Sequence, residues 1–184
     1  LMPALALGVE PPEPGIMQQP PRNLHEHVVT SKLLVRAYLI QGAVEGLACM
    51  AAFYYFYWTN GFQGQWLDLP GSGALYRSAT AMALAAVVVS QIGNLFAQRT
   101  ESVSIFKIPL FNNKMIWIGI LTELIAIFAI VYLPFFHQFI GTNSFPLKYW
   151  LFLFLWTPVL ILVDEVRKWF ERKSALKKAN EGGG

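Results

Sequence analysis

The sequence is poor in charge and in cysteine. Only 14% of its 184 residues are charged, against roughly 25% in an average soluble domain. The single cysteine, Cys49, excludes a disulfide framework and carries no information about the redox compartment. Hydrophobic residues make up 55% of the chain and aromatic residues 15%. This composition excludes an ordinary soluble domain and indicates a membrane protein.

Motifs that carry chemistry are also absent. The sequence has no glycine-rich phosphate loop, no nucleophile with a matching base and no base-reading motif. His25 and His27 lie in one predicted loop and His137 lies on the opposite side of the predicted bundle, so we expect no zinc site. We therefore predict no catalytic residue and no bound cofactor in this chain, and no nucleic acid partner.

What the sequence has instead is four apolar blocks, at 37–58, 78–97, 115–136 and 147–163. About 20 apolar residues in a helix cross a hydrocarbon core of about 30 Å. Three blocks reach that length, whereas the fourth is shorter and is interrupted by Pro158. We expect Pro158 to bend its helix and the Thr157 hydroxyl to bond the freed carbonyl. The pattern predicts an all-α membrane protein, a bundle of four transmembrane helices at about 33–58, 77–97, 114–136 and 147–165.

The distribution of Lys and Arg predicts the orientation of this bundle. Twelve of the fourteen basic residues fall before the first span, between the second and third spans, or after the fourth. Only Arg77 and Lys148 fall in the other two loops. The positive-inside rule then makes both termini cytoplasmic and places the loops 59–76 and 134–148 outside. The net charge of +3 is explained by these cytoplasmic segments near anionic lipid.

Polar residues inside the first predicted span need a reason, because a central charge costs about 2.5–3.5 kcal/mol on the insertion scale. Gln41 and Glu45 lie four residues apart and therefore share a helical face. Gly42 and Gly46 form a GxxxG pattern on the adjacent strip, where a neighbouring helix could approach. Glu45 is either functional or a hydrogen-bonded packing residue.

The second and third spans carry amides and one carboxylate. Gln91 and Asn94 lie three residues apart on the second span, and Glu123 follows Thr122 in an aliphatic stretch of the third. Hard cations take oxygen ligands, and a mixture of carboxylate, amide and backbone carbonyl is usual. Gln91, Asn94 and Glu123 are therefore candidate cation ligands, although they are too few for a complete site. Hydrogen bonding between helices is the alternative explanation.

The first residues, LMPALALGVEPPEPGIMQQPPR, have an unusual pattern. An apolar run without a capping residue meets five prolines between Pro11 and Pro21. The run lacks the basic region and the cleavage site of a signal peptide. We expect residues 1–9 to be the end of a truncated transmembrane helix and the chain to be the downstream piece of a longer protein.

This stretch resembles the end of the sixth transmembrane helix of type II P-type cation ATPases and the cytoplasmic loop that follows it. Ten residues match the family pattern in order: Pro3, Ala4, Leu7, Gly8, Glu10, Ile16, Met17, Pro20, Pro21 and Arg22. AYLIQGAVEG, VVVSQIGNLFAQRTESVSIF, TELIAIFAIVYLP and PVLILVDEVRKWFERK resemble helices seven to ten, so the resemblance covers residues 1 to about 173. The segments that resemble the eighth, ninth and tenth helices are close in sequence to sodium/potassium pumps, and the first loop resembles calcium pumps equally well.

The resemblance implies an ATP-driven pump for Na⁺ or Ca²⁺, with ions bound among helices four, five, six, eight and nine. It assigns the eighth-helix ligand positions to Gln91 and Asn94 and the ninth-helix carboxylate to Glu123. The pattern departs at the eighth helix, where several pumps have acidic residues and this chain has amides. The coordinating Asp of the sixth helix falls before Leu1. The phosphorylation loop and nucleotide domain are absent, so we expect the chain alone to be inactive, with ATP and Mg²⁺ used elsewhere in the parent pump.

The resulting domain organisation has four parts: a helix end at 1–9, a Pro-rich cytoplasmic loop at 10–32, the transmembrane bundle at 33–173 and a basic cytoplasmic tail at 174–184. The expected partners are the remaining helices and cytoplasmic domains of the pump, the lipid bilayer and the transported cation. The expected location is the cell membrane. The alternative is a free-standing four-helix membrane scaffold or accessory protein.

Overall fold

The computed structural model describes residues 2–13, 16–18, 29–101 and 103–181. Within these ranges the chain forms helices and loops and no β-strand. Four of the helices are long and apolar enough to cross a membrane, so the predicted fold class is confirmed. His25 and His27, which we expect to lie in a loop and to form no zinc site, are outside the described residues.

The α-helices are α1 (Met2–Gly8), α2 (Ser31–Leu34), α3 (Gly42–Thr59), α4 (Gly73–Gln98), α5 (Lys114–Tyr132), α6 (Pro134–Ile140), α7 (Tyr149–Phe154) and α8 (Trp156–Glu181). Short 3₁₀ turns lie at Ile16–Gln18 and Ile105–Lys107. The four candidate membrane spans are Val35–Thr59, Gly73–Gln98, Lys114–Tyr132 and Tyr149–Ser174.

The first span contains a π-helical segment, Val35–Gln41, between α2 and α3. In a π turn each N–H bonds the carbonyl five residues back, and here the N–H of Gly42 bonds the carbonyl of Ala37. The segment ends at Gln41, whose side chain is buried against α4. The wider turn therefore lies directly before the polar part of this span.

The centre of the bundle is α4, which packs against α3, α5, α7 and α8. Alanines line much of its buried surface and let neighbouring helices come close: Ala79, Ala81, Ala85 and Ala86. At Gly93 the approach of α8 is closest. A Cβ there would lie 2.7 Å from the carbonyl oxygen of Thr157 and 2.9 Å from Cβ of Leu160, so this crossing requires glycine.

The third span ends at Tyr132, short of the predicted end at 136. Proline disfavours helical backbone in the residue before it, and Leu133 is extended, with φ −86° and ψ 125°. Pro134 then occupies the first turn of α6, where its missing N–H costs nothing. The apolar sequence continues past the break, so hydropathy alone gives no signal for it.

The fourth span is broken at Leu155, between α7 and α8. The N–H of Leu155 bonds the carbonyl of Phe152, three residues back, at 3.3 Å. The break precedes Pro158, which cannot donate to the carbonyl of Phe154. The prediction for Thr157 was wrong, because its hydroxyl donates across the bundle to the carbonyl of Val89 on α4 at 3.1 Å.

Charged side chains gather at one end of the bundle. Buried Asp164 on α8 accepts a hydrogen bond from Nε of Arg167 at 2.8 Å. It also forms ion pairs with Nζ of Lys168 at 2.8 Å and with Nη2 of Arg36 at 3.5 Å. The carbonyl of Ala97, in the last turn of α4, accepts from Arg36 at 3.2 Å and from Lys168 at 3.3 Å. Cations stabilise a helix C-terminus because its carbonyls lack intrahelical partners and carry partial negative charge.

A second ionic contact at this end ties the residues after α1 to the loop between α4 and α5. Nη2 of Arg99, whose side chain is fully buried, lies 2.7 Å from Oε1 of Glu10. The other carboxylate oxygen of Glu10 accepts from Nδ2 of Asn113 at 2.6 Å. The same Asn113 amide donates to the carbonyl of Ala6 at 2.9 Å. The helix end and the following loop therefore dock on the bundle.

The opposite end of the bundle is aromatic. The Tyr149 hydroxyl lies 2.8 Å from Oγ1 of Thr59 and accepts from the Asn60 amide at 3.2 Å. Nε1 of Trp150 donates to the Tyr132 hydroxyl at 2.9 Å. Tyr and Trp are enriched where a membrane protein meets the headgroup region, because one end of each side chain is apolar and the other is polar. The two ends of the bundle thus differ in chemistry.

Candidate cation site

Helix α4 leaves one narrow stripe uncovered. Its exposed residues from position 77 onward are seven apart: Arg77, Leu84, Gln91 and Gln98. Every other residue between 77 and 98 is buried or half-buried. Seven residues make almost two complete turns of an α-helix, so the four side chains share one face. This open stripe contains one predicted ligand, Gln91.

Asn94 lies on the α3 side of the open stripe and is half-buried. Its Nδ2 donates a hydrogen bond to Oε1 of Glu45 on α3. Its Oδ1 is buried and has no hydrogen-bond partner among the described residues. The amide oxygen, which is the atom that a cation binds, is therefore left available.

A second hydrogen bond joins the same two helices. Nε2 of Gln98 donates to Oε1 of Gln41 at 2.9 Å. Gln41 ends the π segment, one turn before Glu45 on the first span. Since Asn94 and Gln98 are also one turn apart on α4, the two bonds form adjacent rungs between antiparallel spans. In both rungs α4 supplies the donor and the first span the acceptor.

Glu123 lies on the other side of the open stripe. It is half-buried on α5 and lines a pocket of about 120 Å³ together with five apolar residues: Leu84, Val88, Ala126, Ile127 and Ile130. Its Oε2 is buried without a hydrogen-bond partner in the described part of the chain. The neighbouring Thr122 hydroxyl donates within its own helix to the carbonyl of Gly119 at 2.8 Å. Glu123 is thus a carboxylate in an apolar recess.

The three predicted ligands therefore border the same open stripe from different positions. Gln91 lies on the stripe, and the 3.6-residue period puts Val88, beside Glu123, and Asn94 on opposite sides of it. No hydrogen bond in the described ranges joins any two of Gln91, Asn94 and Glu123. Their oxygens are the kind that hard cations bind, and the stripe between them is open to further ligands.

The pairing of Glu45 with Asn94 is not predicted from the sequence, which leaves open whether Glu45 is functional. The structure shows that Glu45 is hydrogen-bonded, and bonded to a predicted ligand. The spacing of polar residues gave a signal for this pairing, because Gln41 and Glu45 lie four residues apart on the first span, and Asn94 and Gln98 lie four apart on the second. The GxxxG pattern in contrast gives no close contact at Gly46, where a Cβ would have no described atom within 4 Å.

Comparison with known proteins identifies the family. Residues 1–170 match the family described as "Cation transporting ATPase, C-terminus". Calcium-transporting ATPase 1 of Schizosaccharomyces pombe is 29% identical over 174 residues, covering 95% of this chain and 18% of the relative. Calcium-transporting ATPase type 2C member 1 of Mus musculus is 26% identical over 180 residues, covering 98% of this chain and 18% of the relative.

A bacterial relative gives the same result. The probable cation-transporting ATPase F of Mycobacterium bovis is 30% identical over 164 residues, covering 87% of this chain and 17% of the relative. The chain therefore spans less than a fifth of the length of these relatives. With most of its residues matched and four helices able to cross a membrane, it is a multi-pass membrane protein that belongs to the family of cation-transporting ATPase C-terminal regions.

Proposed function

We propose that the chain is the C-terminal membrane part of an ATP-driven P-type cation pump in the cell membrane. In this role it contributes one wall of the transported-cation site and the scaffold helices that hold that wall. The remaining walls belong to transmembrane helices outside this chain. ATP and Mg²⁺ act in the cytoplasmic domains of the same pump.

The observation that carries the proposal is the open stripe on α4 and the oxygens beside it. Within the bundle, a carboxylate oxygen of Glu123 and the amide oxygen of Asn94 are buried without described partners, and Gln91 is exposed between them. A polar group within a membrane is costly unless it is satisfied. A cation held between these oxygens and ligands from neighbouring helices would satisfy both.

Calcium is the ion that we propose. The sequence favours Na⁺ and Ca²⁺ about equally. Two of the relatives above have an ion in their names, and in both it is calcium. Calcium also takes six to eight oxygens in flexible geometry, and amide and carboxylate oxygens serve together in its sites. A wall with amides at Gln91 and Asn94 and a carboxylate at Glu123 suits this chemistry.

Replacing the carboxylate of Glu123 tests the proposal. In the full-length pump that contains this chain, Glu123→Gln keeps the size of the side chain and removes its charge. We expect the Ca²⁺ concentration for half-maximal ATPase activity to rise about tenfold to a hundredfold, because a charged ligand is lost from a buried site. Phosphorylation by inorganic phosphate, measured without Ca²⁺, should stay unchanged.

Thr122→Val is the matched control, since it alters the adjacent residue, whose hydroxyl bonds the carbonyl of Gly119 within α5. Its Ca²⁺ dependence should equal that of the wild type. If Glu123→Gln and Thr122→Val give the same Ca²⁺ dependence as the wild type, Glu123 is a packing residue and the proposed site is wrong.

A further inference from the structure

The hydrogen bond between Asn94 on α4 and Glu45 on α3 has a chemical direction. The Asn94 side chain has a donor end, Nδ2, and an acceptor end, Oδ1, on opposite sides of one carbon. An ionised carboxylate only accepts hydrogen bonds. Glu45 therefore takes the donor end of Asn94, and the oxygen end is turned away from α3.

This direction matters for a cation, which binds an amide through oxygen and is repelled by the NH₂ group. We infer that Glu45 is a positioning residue for Asn94, holding its amide so that Oδ1 faces the cation. The inference rests on the proposed function and adds to it a residue on α3, which supplies none of the predicted ligands. Both predicted ligands on α4 are amides, and an amide has a single oxygen to offer, so its orientation affects how tightly the ion binds.

The adjacent rung offers a matched control. Gln41 and Gln98 bond at 2.9 Å between the same helices, with the same donor and acceptor helix. Neither residue is a predicted ligand, and the rung lies one turn away from Glu45 and Asn94. If inter-helix bonding alone matters, removal of either acceptor should have the same effect. If the orientation of Asn94 matters, only Glu45 should affect the cation.

The experiment measures equilibrium binding of ⁴⁵Ca²⁺ to the purified full-length pump and the Ca²⁺ dependence of its ATPase rate. Glu45→Leu should raise the Kd about tenfold, the effect of one hydrogen bond to a charged group, with the maximal rate at saturating Ca²⁺ preserved. Glu45→Gln keeps an acceptor oxygen for Asn94 and should restore most of the affinity. Gln41→Leu should leave the Kd unchanged.

A double-mutant cycle tests whether Glu45 acts through Asn94. Asn94→Ala should weaken Ca²⁺ binding by itself, and adding Glu45→Leu should change the Kd no further. If Glu45→Leu does not assemble, judged by size-exclusion chromatography, Glu45→Ala takes its place in both arms of the cycle.

Either of two results would show that Glu45 does not act by orienting Asn94. One is an equal loss of affinity in Glu45→Leu and Gln41→Leu, which would show a general packing role. The other is an undiminished effect of Glu45→Leu in the Asn94→Ala background, which would show that Glu45 acts independently. If Asn94→Ala and Glu123→Gln weaken binding but Glu45→Leu does not, only this inference fails. If neither of those two variants weakens binding, the proposed function fails with it.

Discussion

The contact at Gly93 is a residue-scale constraint on the whole bundle. A side chain there would meet backbone of α8, with 2.7 Å to the Thr157 carbonyl oxygen, and backbone cannot move aside as a flexible side chain can. We expect Gly93→Ala in this chain to lower the free energy of unfolding by about 1–3 kcal/mol, a typical cost of overpacking. Thermal unfolding in detergent micelles, followed by circular dichroism, measures the change.

Gly46→Ala is the control for this prediction, because no described atom lies within 4 Å of its added Cβ. Alanine is the better helix former by roughly 0.5–1 kcal/mol, so this variant should be neutral or slightly stabilised. A Gly93→Ala chain as stable as the Gly46→Ala chain would contradict the close approach of α8 to α4.

The candidate site was partly predictable at the residue scale. Gln91, Asn94 and Glu123 stand out in the sequence because each interrupts an apolar span, and a polar group in a membrane is costly. Their arrangement was not predictable. The bond from Asn94 to Glu45 depends on the vertical register and rotation of two helices, and a π segment upstream alters that register. Neither quantity is encoded in local periodicity.

The contact between Arg99 and Glu10 acts at the scale of elements, because it joins the end of α1 to the loop after α4. Removing one partner of a buried ion pair leaves an unpaired charge, at a cost of about 3–5 kcal/mol. We expect Arg99→Leu to destabilise this chain by that amount in denaturant unfolding. Glu10→Leu added to Arg99→Leu should restore part of the loss, since the unpaired carboxylate is then removed, while Asn113 loses one of its two acceptors.

Arg77→Leu serves as the comparison, because Arg77 is an exposed arginine on α4, the helix that Arg99 directly follows. Its stability should differ from that of the wild type by less than about 0.5 kcal/mol, as for most surface substitutions. The assigned role of Arg99 is wrong if the two variants unfold at the same denaturant concentration.

Element boundaries illustrate what hydropathy can and cannot predict. The second span was predicted at 77–97 and forms Gly73–Gln98, so it begins four residues earlier and ends one residue later than predicted. The third was predicted to reach 136, yet α5 ends at Tyr132. There the backbone restriction that Pro134 imposes on Leu133 outweighs the continuing apolar sequence. Local backbone chemistry, rather than hydrophobicity, determines that end.

At the scale of the whole molecule, the bundle has an ionic end and an aromatic end. The orientation remains a prediction from the distribution of Lys and Arg. In a Cys49→Ala background, a cysteine at Gln63 or Gln138 should react with a membrane-impermeant maleimide in intact cells. A cysteine at Lys107 should react only after the cells are permeabilised. All three positions are exposed in the structure, so access depends on the side of the membrane.

Labelling of Lys107→Cys in intact cells would reverse the proposed orientation. Protection of Gln63→Cys and Gln138→Cys, with reaction only after permeabilisation, would do the same. The native Cys49 lies within the first span, and its replacement removes the background signal.

The pairing of Glu10 with Arg99 also affects the order in which the protein matures. The two residues are 89 apart in the chain, and a ribosome adding roughly 5–20 residues per second needs on the order of 10 s to cover that distance. During this interval the Glu10 carboxylate has emerged and its guanidinium partner has not. The segment after α1 therefore reaches its final position only when α3 and α4 have both entered the membrane. Docking of this segment must wait until the loop after α4 has been synthesised.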